Sequence, residues 1–223
     1  MSEALIQLSE FSYRTNNQTL LREIELTISP EDKIALVGPS GAGKSTLLHC
    51  LYERIHVHAA LCPQQLGLVD SLSAYHNIYM GQLDHHNALY NLWNLIHPWR
   101  HHKTAIAALC REFSLPDRIW QPVSELSGGE QQRVALARAC YASKPVFIGD
   151  EPLSSLDPEL RERLLAQLLA RHPTVIMSLH APELATQYFQ RVIGLRAGCI
   201  VFDKAATDIS PAELDDLYSA EIS

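Results

Sequence analysis

One nine-residue run constrains this chain more than any other feature, because it fits the pattern G-x-x-x-x-G-K-[ST]. The run consists of Gly38, Pro39, Ser40, Gly41, Ala42, Gly43, Lys44, Ser45 and Thr46. An apolar run at 33–37 precedes it, and a segment that can be helical, 46–51, follows it. In a strand–loop–helix context, backbone N–H groups and the helix N-terminus surround a phosphate chain. The pattern therefore predicts a phosphate site in which Lys44 reaches the outer phosphates and Ser45 offers a hydroxyl to Mg²⁺.

Composition excludes several other classes of protein. The 223 residues are 47% hydrophobic, which suffices for one core of ordinary size. The formal net charge of −7 argues against a general nucleic-acid binder. We see no apolar stretch of about 18 residues, the length that a membrane helix needs, and no leader-like start. The five cysteines are far apart in the sequence and are expected to be free thiols. These features predict a cytoplasmic protein.

The order of apolar runs predicts an α/β fold with a parallel sheet. Alternating residues at 6–8 and 24–28 indicate half-buried strands near the start. Two later apolar runs, 146–150 and 174–179, each follow a helical stretch, which is the alternation typical of parallel sheets. Residues 70–140 read as mainly helical between these parts. A hairpin over 192–202 and a short helix over 211–217 end the pattern, and a polar turn covers 14–18.

Asp150 and Glu151 stand at the end of a predicted strand. An Asp-Glu pair by itself usually marks a solvated turn. Here the carboxyl ends of parallel strands line the ligand crevice, so Asp150 is expected to face the metal held by Ser45. Glu151 would lie one residue further along, placed to take a proton from attacking water.

A second candidate phosphate-binding segment follows the helical middle. Ser127, Gly128 and Gly129 open a predicted helix, whose N-terminus can hold anionic oxygens. A serine-capped helix with no further role would look similar. The run 126–133, however, resembles the signature sequence of ATP-binding-cassette (ABC) ATPases. Together with the phosphate loop and the Asp-Glu pair, it makes the chain similar to this family from about residue 6 to 203.

The resemblance implies four more residues of the site. Gln64 matches the glutamine that touches the metal or the attacking water, and Asp157 matches the loop that crosses the dimer interface. His180, at the end of a predicted strand, resembles the histidine that contacts the γ-phosphate. Tyr13 lies where the family places an aromatic ring against adenine, although a tyrosine on such a strand is as often a packing residue.

The resemblance implies a P-loop NTPase with a RecA-like parallel sheet, an N-terminal antiparallel β lobe and a helical signature subdomain. We expect one domain over 1–223, with the helical part inserted at approximately 66–140. The family hydrolyses ATP with Mg²⁺, and its cassettes pair head to tail so that each ATP lies between the phosphate loop of one subunit and the signature of the other. Implied partners are a second such subunit, expected to be identical, a membrane permease and, indirectly, a substrate-binding protein. The chain would then sit on the inner face of the membrane.

The sequence departs from the family pattern in two places. Gln64 follows Thr46 by only 18 positions, so the antiparallel lobe is expected to be shortened. Six of the eleven histidines lie in the segment 76–102. Histidine is a frequent metal ligand, but the adjacent pairs do not face the same way on a helix, so a solvated helical surface is the preferred interpretation. The six are His76, His85, His86, His97, His101 and His102.

The segment before the signature suggests a subfamily. Residues 81–98 and 191–198 look similar to the ATPase subunit of phosphonate importers. The apolar residues Leu92, Trp93 and Leu95 could serve as core or as an interface for a membrane subunit. Two alternatives stay open, namely a regulatory ATPase that pairs without transport, and the motor of an exporter or lipoprotein-release system.

Overall fold

Strands and helices alternate along this chain around one central sheet. The computed structural model describes residues 4–15, 18–115 and 119–219. Its strands are β1 (Ile6–Thr15), β2 (Gln18–Ile28), β3 (Lys33–Val37), β4 (Ala59–Cys62), β5 (Val146–Asp150), β6 (Thr174–Ser178), β7 (Arg191–Arg196) and β8 (Cys199–Ala205). Its helices are α1 (Lys44–Ile55), α2 (Ala74–Tyr79), α3 (Ala88–Ile96), α4 (Arg100–Glu112), α5 (Gly128–Tyr141), α6 (Pro158–Arg171), α7 (Pro182–Tyr188) and α8 (Pro211–Ser219). The described residues also form 3₁₀ turns at Met80–His85, Val123–Glu125 and Ala206–Asp208.

The central sheet has the strand order β4-β5-β6-β3-β7-β8. Its first five strands are parallel, and β8 pairs antiparallel to β7 through a hairpin. In this register Ile34 is opposite Ile176, and Asp150 is opposite Ser178 at the carboxyl ends. The predicted parallel sheet and P-loop NTPase fold are confirmed.

Both faces of the sheet are covered, which explains why its strands are almost continuously apolar. On β3, Ile34 and Leu36 face a core shared with α1 and the β1–β2 hairpin. Ala35 and Val37 face the opposite core, to which α2, α4, α5 and α6 contribute. The two-residue side-chain period of a strand thus places β3 between two hydrophobic layers.

The antiparallel lobe is small, as the short spacing before Gln64 predicts. Within the described residues it consists of β1 and β2 alone. On β2, Ile24, Leu26 and Ile28 are buried while the residues between them are exposed, which confirms the predicted alternation. The predicted polar turn includes Asn16 and Asn17, which lie outside the described residues. Helix α1 ends at Ile55 and β4 begins at Ala59, so no further strand fits between them.

The middle of the chain is helical, in agreement with its sequence. Helices α2 to α5 lie between β4 and β5, and α2 packs against α5. The extent of a separate helical subdomain at 66–140 stays a prediction. Among the described residues, none of the helices is long and apolar enough to cross a bilayer. The last helix, α8, runs two residues beyond the predicted 211–217.

The central position of β6 predicts a large loss of stability when its core is emptied. Ile176 is fully buried. We expect Ile176→Ala to lower the free energy of unfolding by about 2–5 kcal/mol, because it removes apolar contacts and leaves a cavity. Val201, 43% exposed on β8, provides the control, and Val201→Ala should change stability by less than about 0.5 kcal/mol. Urea unfolding of both variants measures the difference. Equal losses would contradict the two-layer core.

Candidate nucleotide site

A cavity of about 410 Å³ lies at the carboxyl ends of the parallel strands. Five chain segments contribute to it, namely β2, the loop after β3 with the start of α1, the segment after β4, and the residues that follow β5 and β6. The lining residues are Leu20, Ser40, Gly41, Ala42, Gly43, Lys44, Ser45, Thr46, Gln64, Glu151 and His180. The structure therefore brings the predicted phosphate loop together with Gln64, Glu151 and His180.

The loop after β3 turns sharply into α1. Gly43 caps the helix with a φ of 104°, a conformation that disfavours other residues. The buried Lys44 donates from Nζ to the carbonyl oxygens of Gly38 at 2.6 Å and Pro39 at 3.0 Å. Gly38 has a φ of 145°, and a Cβ there would lie 2.1 Å from the carbonyl oxygen of Leu195. The backbone thus admits only glycine at the start of the loop.

Elements far along the chain hold the loop in place. The N–H of Gly38 donates to the hydroxyl of Tyr218 on α8 at 3.0 Å, and the N–H of Gly198 donates to the carbonyl of Ala42 at 3.0 Å. Burial raises the pKa of Tyr218, so the phenol stays protonated at neutral pH. The N–H of Gly38 and the carbonyl of Ala42, two backbone groups of the phosphate loop, are thus hydrogen-bonded by distant residues.

One serine holds the two predicted carboxylate residues in position. The hydroxyl of Ser178, at the end of β6, donates to Asp150 Oδ1 at 2.7 Å. The same hydroxyl accepts from the N–H of Glu151 at 2.8 Å. Asp150 is buried, and Glu151 has a φ of 50°, a left-handed conformation rare for a residue with a Cβ. The sheet register therefore fixes where the carboxylate of Asp150 lies and how the chain turns at Glu151.

Glu151 and His180 contact each other directly. His180 Nε2 lies 2.6 Å from Glu151 Oε2, with the glutamate side chain 11% exposed and the histidine side chain 66% exposed. A partly buried carboxylate beside an imidazole at the cavity rim can accept a proton and be oriented by its neighbour.

Gln64 also lines the cavity, and α5 anchors the segment after it. Arg138 donates from Nη1 to the carbonyl of Gly67 at 2.7 Å and from Nη2 to the carbonyl of Leu66. The side chain of Gln64 is exposed to the cavity, while the backbone beyond it is held by a helix of the core.

Ser127, Gly128 and Gly129 do not line this cavity. Ser127 caps α5, accepting from the N–H of Glu130 while the N–H of Ser127 donates to Glu130 Oε2 at 2.8 Å, a capping box. The start of α5 is exposed. Asp157 is also exposed, and it caps α6 by accepting from the N–H of Leu160 at 3.0 Å. One chain thus carries the phosphate loop and the signature segment at separate places.

Two residues of the site went unpredicted. Leu20, on β2, lines the cavity, whereas Tyr13 is not among the lining residues and packs beside the hairpin core. The stacking of Tyr13 on adenine stays a prediction. Ser178 also went unnoticed, although its place two residues before His180, at the end of a predicted strand, is a usable signal.

The cavity fits a nucleoside triphosphate with Mg²⁺ in size and in chemistry. Its volume falls in the range of small-molecule sites. A Cβ on Gly41 would have no atom within 4 Å, so the space above the loop is open to a phosphate chain. The buried Lys44 supplies positive charge, and the hydroxyl of Ser45 is an oxygen ligand of the type that Mg²⁺ prefers. Asp150 carries a second such ligand, but it is buried directly before Glu151 and is not among the lining residues.

The histidine-rich segment differs from the solvated surface expected of it. His102 is only 3% exposed, and it lies between two tyrosines, with Nδ1 2.5 Å from the Tyr141 hydroxyl and Nε2 3.1 Å from that of Tyr90. The helix turns His102 toward the α4–α5 packing while His101 stays exposed, so the expectation was wrong for one member of the pair. Among the residues that the structure describes, we find no group of three His, Cys, Asp or Glu side chains suited to a metal ion.

Comparisons with known proteins agree with this geometry. The ABC transporter family matches residues 21–154. A phosphonates import ATP-binding protein of Pseudomonas entomophila is 34% identical, over 97% of this chain and 92% of the relative. A dimeric structure of MJ0796, a bacterial ABC transporter cassette, superposes with a TM-score of 0.73 at 22% identity, over 90% of this chain and 98% of that one. A metal-chelate type ABC transporter gives a TM-score of 0.78 at 20% identity, over 96% and 89%.

The buried histidine predicts an acid sensitivity of folding. Burial lowers the pKa of His102 from 6.5 to about 4, so below pH 6.5 the unfolded chain binds a proton that the folded chain rejects. Stability should then fall as the pH drops from about 6.5 to 4, by at most about 1.4 kcal/mol per pH unit for this group. We expect His102→Gln, which cannot titrate, to show a flatter dependence in urea unfolding at pH 7.5 and 5. His97→Gln, on the exposed surface, should keep the wild-type slope.

Proposed function

The chain belongs to the ABC transporter family, and from this premise we propose that it is the ATP-hydrolysing subunit of a membrane importer for a phosphonate or a related oxyanion. ATP hydrolysis is the activity of the family. The importer role and the cargo are supported by relatives named for phosphonate import at 33–34% identity. The observation that carries the proposal is the single cavity shared by Lys44, Glu151 and His180.

We assign phosphate binding to the loop and the metal to the strand ends. Lys44 and the N–H groups at the start of α1 would hold the β- and γ-phosphates, where the helix N-terminus favours negative charge. Ser45, Asp150 and Gln64 would hold Mg²⁺, which when bound neutralises charge on the phosphate oxygens. Because Asp150 accepts a hydrogen bond from Ser178, its carboxylate is already oriented before any ligand enters.

We assign the hydrolytic step to Glu151 and His180. Glu151 would orient the attacking water and accept its proton, and His180 would contact the γ-phosphate. Support comes from the 2.6 Å contact between Nε2 of His180 and Oε2 of Glu151. The low exposure of the Glu151 side chain also limits the competing hydration of its carboxylate.

The exposed start of α5 supports pairing with a second copy. Ser127, Gly128 and Gly129 lie outside the cavity that contains Lys44, and we assign them to the phosphate oxygens of a nucleotide on another subunit. The transition state of γ-phosphoryl transfer is stabilised more strongly when hydrogen-bond donors contact its oxygens from both sides. The paired arrangement of MJ0796 is consistent with this proposal. Asp157 would contribute to the subunit interface, and Tyr13 would stack on the adenine base of the nucleotide.

An apolar surface on α3 supports a permease partner. Five side chains of α3 are more than 40% exposed, a density that is unusual for surface helices. They are Leu89, Leu92, Trp93, Leu95 and Ile96. We propose that this α3 surface receives an apolar segment of the permease, through which the chain is held at the membrane and responds indirectly to a substrate-binding protein. A regulatory ATPase without a permease would leave this surface without a role.

The assignment of Glu151 predicts separation of binding from turnover. Glu151→Gln should lower kcat for ATP hydrolysis by about 10²- to 10⁴-fold, because an amide cannot accept the proton. Affinity for ATP should be kept, and MgATP should drive the variant into stable dimers. Phosphate release and light scattering measure the two effects. Lys44→Ala is the control for lost nucleotide affinity, and normal hydrolysis by Glu151→Gln would remove this residue from its role.

The α3 surface predicts loss of the permease without loss of catalysis. Trp93→Glu places a charge in the centre of the apolar surface. We expect it to abolish co-purification with the co-expressed permease of the same transporter while the basal ATPase rate stays within about twofold, because Trp93 lies outside the nucleotide cavity. Val201→Glu, at a similarly exposed apolar position on β8, should leave the complex intact. Retention of the permease by the Trp93 variant would contradict the assignment.

A further inference from the structure

We propose that Gln132 is a positioning residue that ties Glu151 to the exposed start of α5, and so couples the two half-sites carried by one chain. Gln132 lies in the first turns of α5 and is 4% exposed. The inference rests on the proposed function, since it takes Glu151 as the group that orients water and Ser127–Gly129 as the segment facing the second copy's nucleotide.

Both ends of the Gln132 amide are engaged by the turn that follows β5. Nε2 donates to the carbonyl of Glu151 at 3.2 Å and to Ser154 Oγ at 3.4 Å. Oε1 accepts from the N–H of Ser155 at 2.9 Å. A carbonyl can only accept and a backbone N–H can only donate, so the partners themselves fix the orientation of the amide. A buried side chain thus clamps the turn 151–155 from the side of α5.

The clamp acts on a backbone that needs support. Glu151 has a φ of 50°, and a left-handed residue with a Cβ persists only where its surroundings hold it. Its N–H is held by Ser178, and its carbonyl accepts from the N–H of Ser154 at 3.2 Å as well as from Gln132. Gln132 is the one support of Glu151 among these three that comes from α5. Without the hydrogen bond from Gln132, the backbone of Glu151 is held less firmly, and the orientation of its carboxylate is less well fixed.

The start of α5 also lies close to the same turn. A Cβ built on Gly129 would lie 3.5 Å from the carbonyl oxygen of Ser155 and 3.9 Å from a methyl of Leu156. A shift of Gly129 on binding the nucleotide of the second copy would therefore reach the turn through the Gln132 amide. Each half-site would then sense occupancy of the other through a path within one chain.

The test compares two substitutions of Gln132 with a matched control. Gln132→Met keeps the length and shape but removes all three hydrogen bonds, and Gln132→Glu keeps the acceptor for Ser155 but loses the donor to Glu151. We expect both to lower kcat about ten- to a hundredfold, because the carboxylate is misplaced. The Kd for a labelled ATP analogue should change less than twofold. Gln82→Met, which also removes a side-chain bond to a carbonyl, that of Tyr141, should keep wild-type kcat.

A double-mutant cycle separates positioning from a general loss of structure. If Gln132 acts through Glu151, then adding Gln132→Met to Glu151→Gln should lower single-turnover hydrolysis no further. Independent, multiplicative losses would overturn the proposal, as would wild-type kcat in Gln132→Met. The proposed function is tested apart from this: it fails if the wild type shows no ATP hydrolysis and no ATP-driven association.

Discussion

The parallel register of β4, β5, β6 and β3 is the constraint on which the nucleotide site depends. Because these strands run in one direction, their carboxyl ends meet at one edge, and each delivers a polar group there. The pairing of Asp150 with Ser178 sets the hydrogen bond between their side chains. A shift of one residue in that pairing would turn the side chains to the other face of the sheet. The chemistry of the site is therefore a property of strand alignment as much as of residue identity.

Much of this arrangement could be predicted because it depends on local sequence. The phosphate loop is one continuous run whose glycines meet local backbone demands, and the strands that end at Asp150 and Ser178 are apolar because both faces are covered. The cap of α5 is likewise local, since Ser127 and Glu130 are three residues apart. Such features require no knowledge of what lies across the fold.

Other features could not be predicted because they depend on distant packing. Whether Leu20 or Tyr13 reaches the cavity depends on irregularities in the β1–β2 pairing, which the sequence does not mark. The burial of His102 depends on the position of Tyr141, 39 residues further along the chain. The hydroxyl of Tyr218 reaches Gly38 from a helix 180 residues away. In each case the decisive partner is fixed by tertiary structure and not by spacing.

The position of β3 has a consequence for how the chain is made. Its two neighbours in the sheet, β6 and β7, begin at residues 174 and 191, so both follow β3 by well over a hundred residues. At ribosomal speeds of about 5–20 residues per second, the apolar β3 and α1 wait roughly 7–28 s for the first of these partners to be synthesised. During that interval the phosphate loop has neither its sheet nor the hairpin glycine that contacts it. Nascent chains of this protein therefore pass through a long stage in which β3 has no partner strand of its sheet.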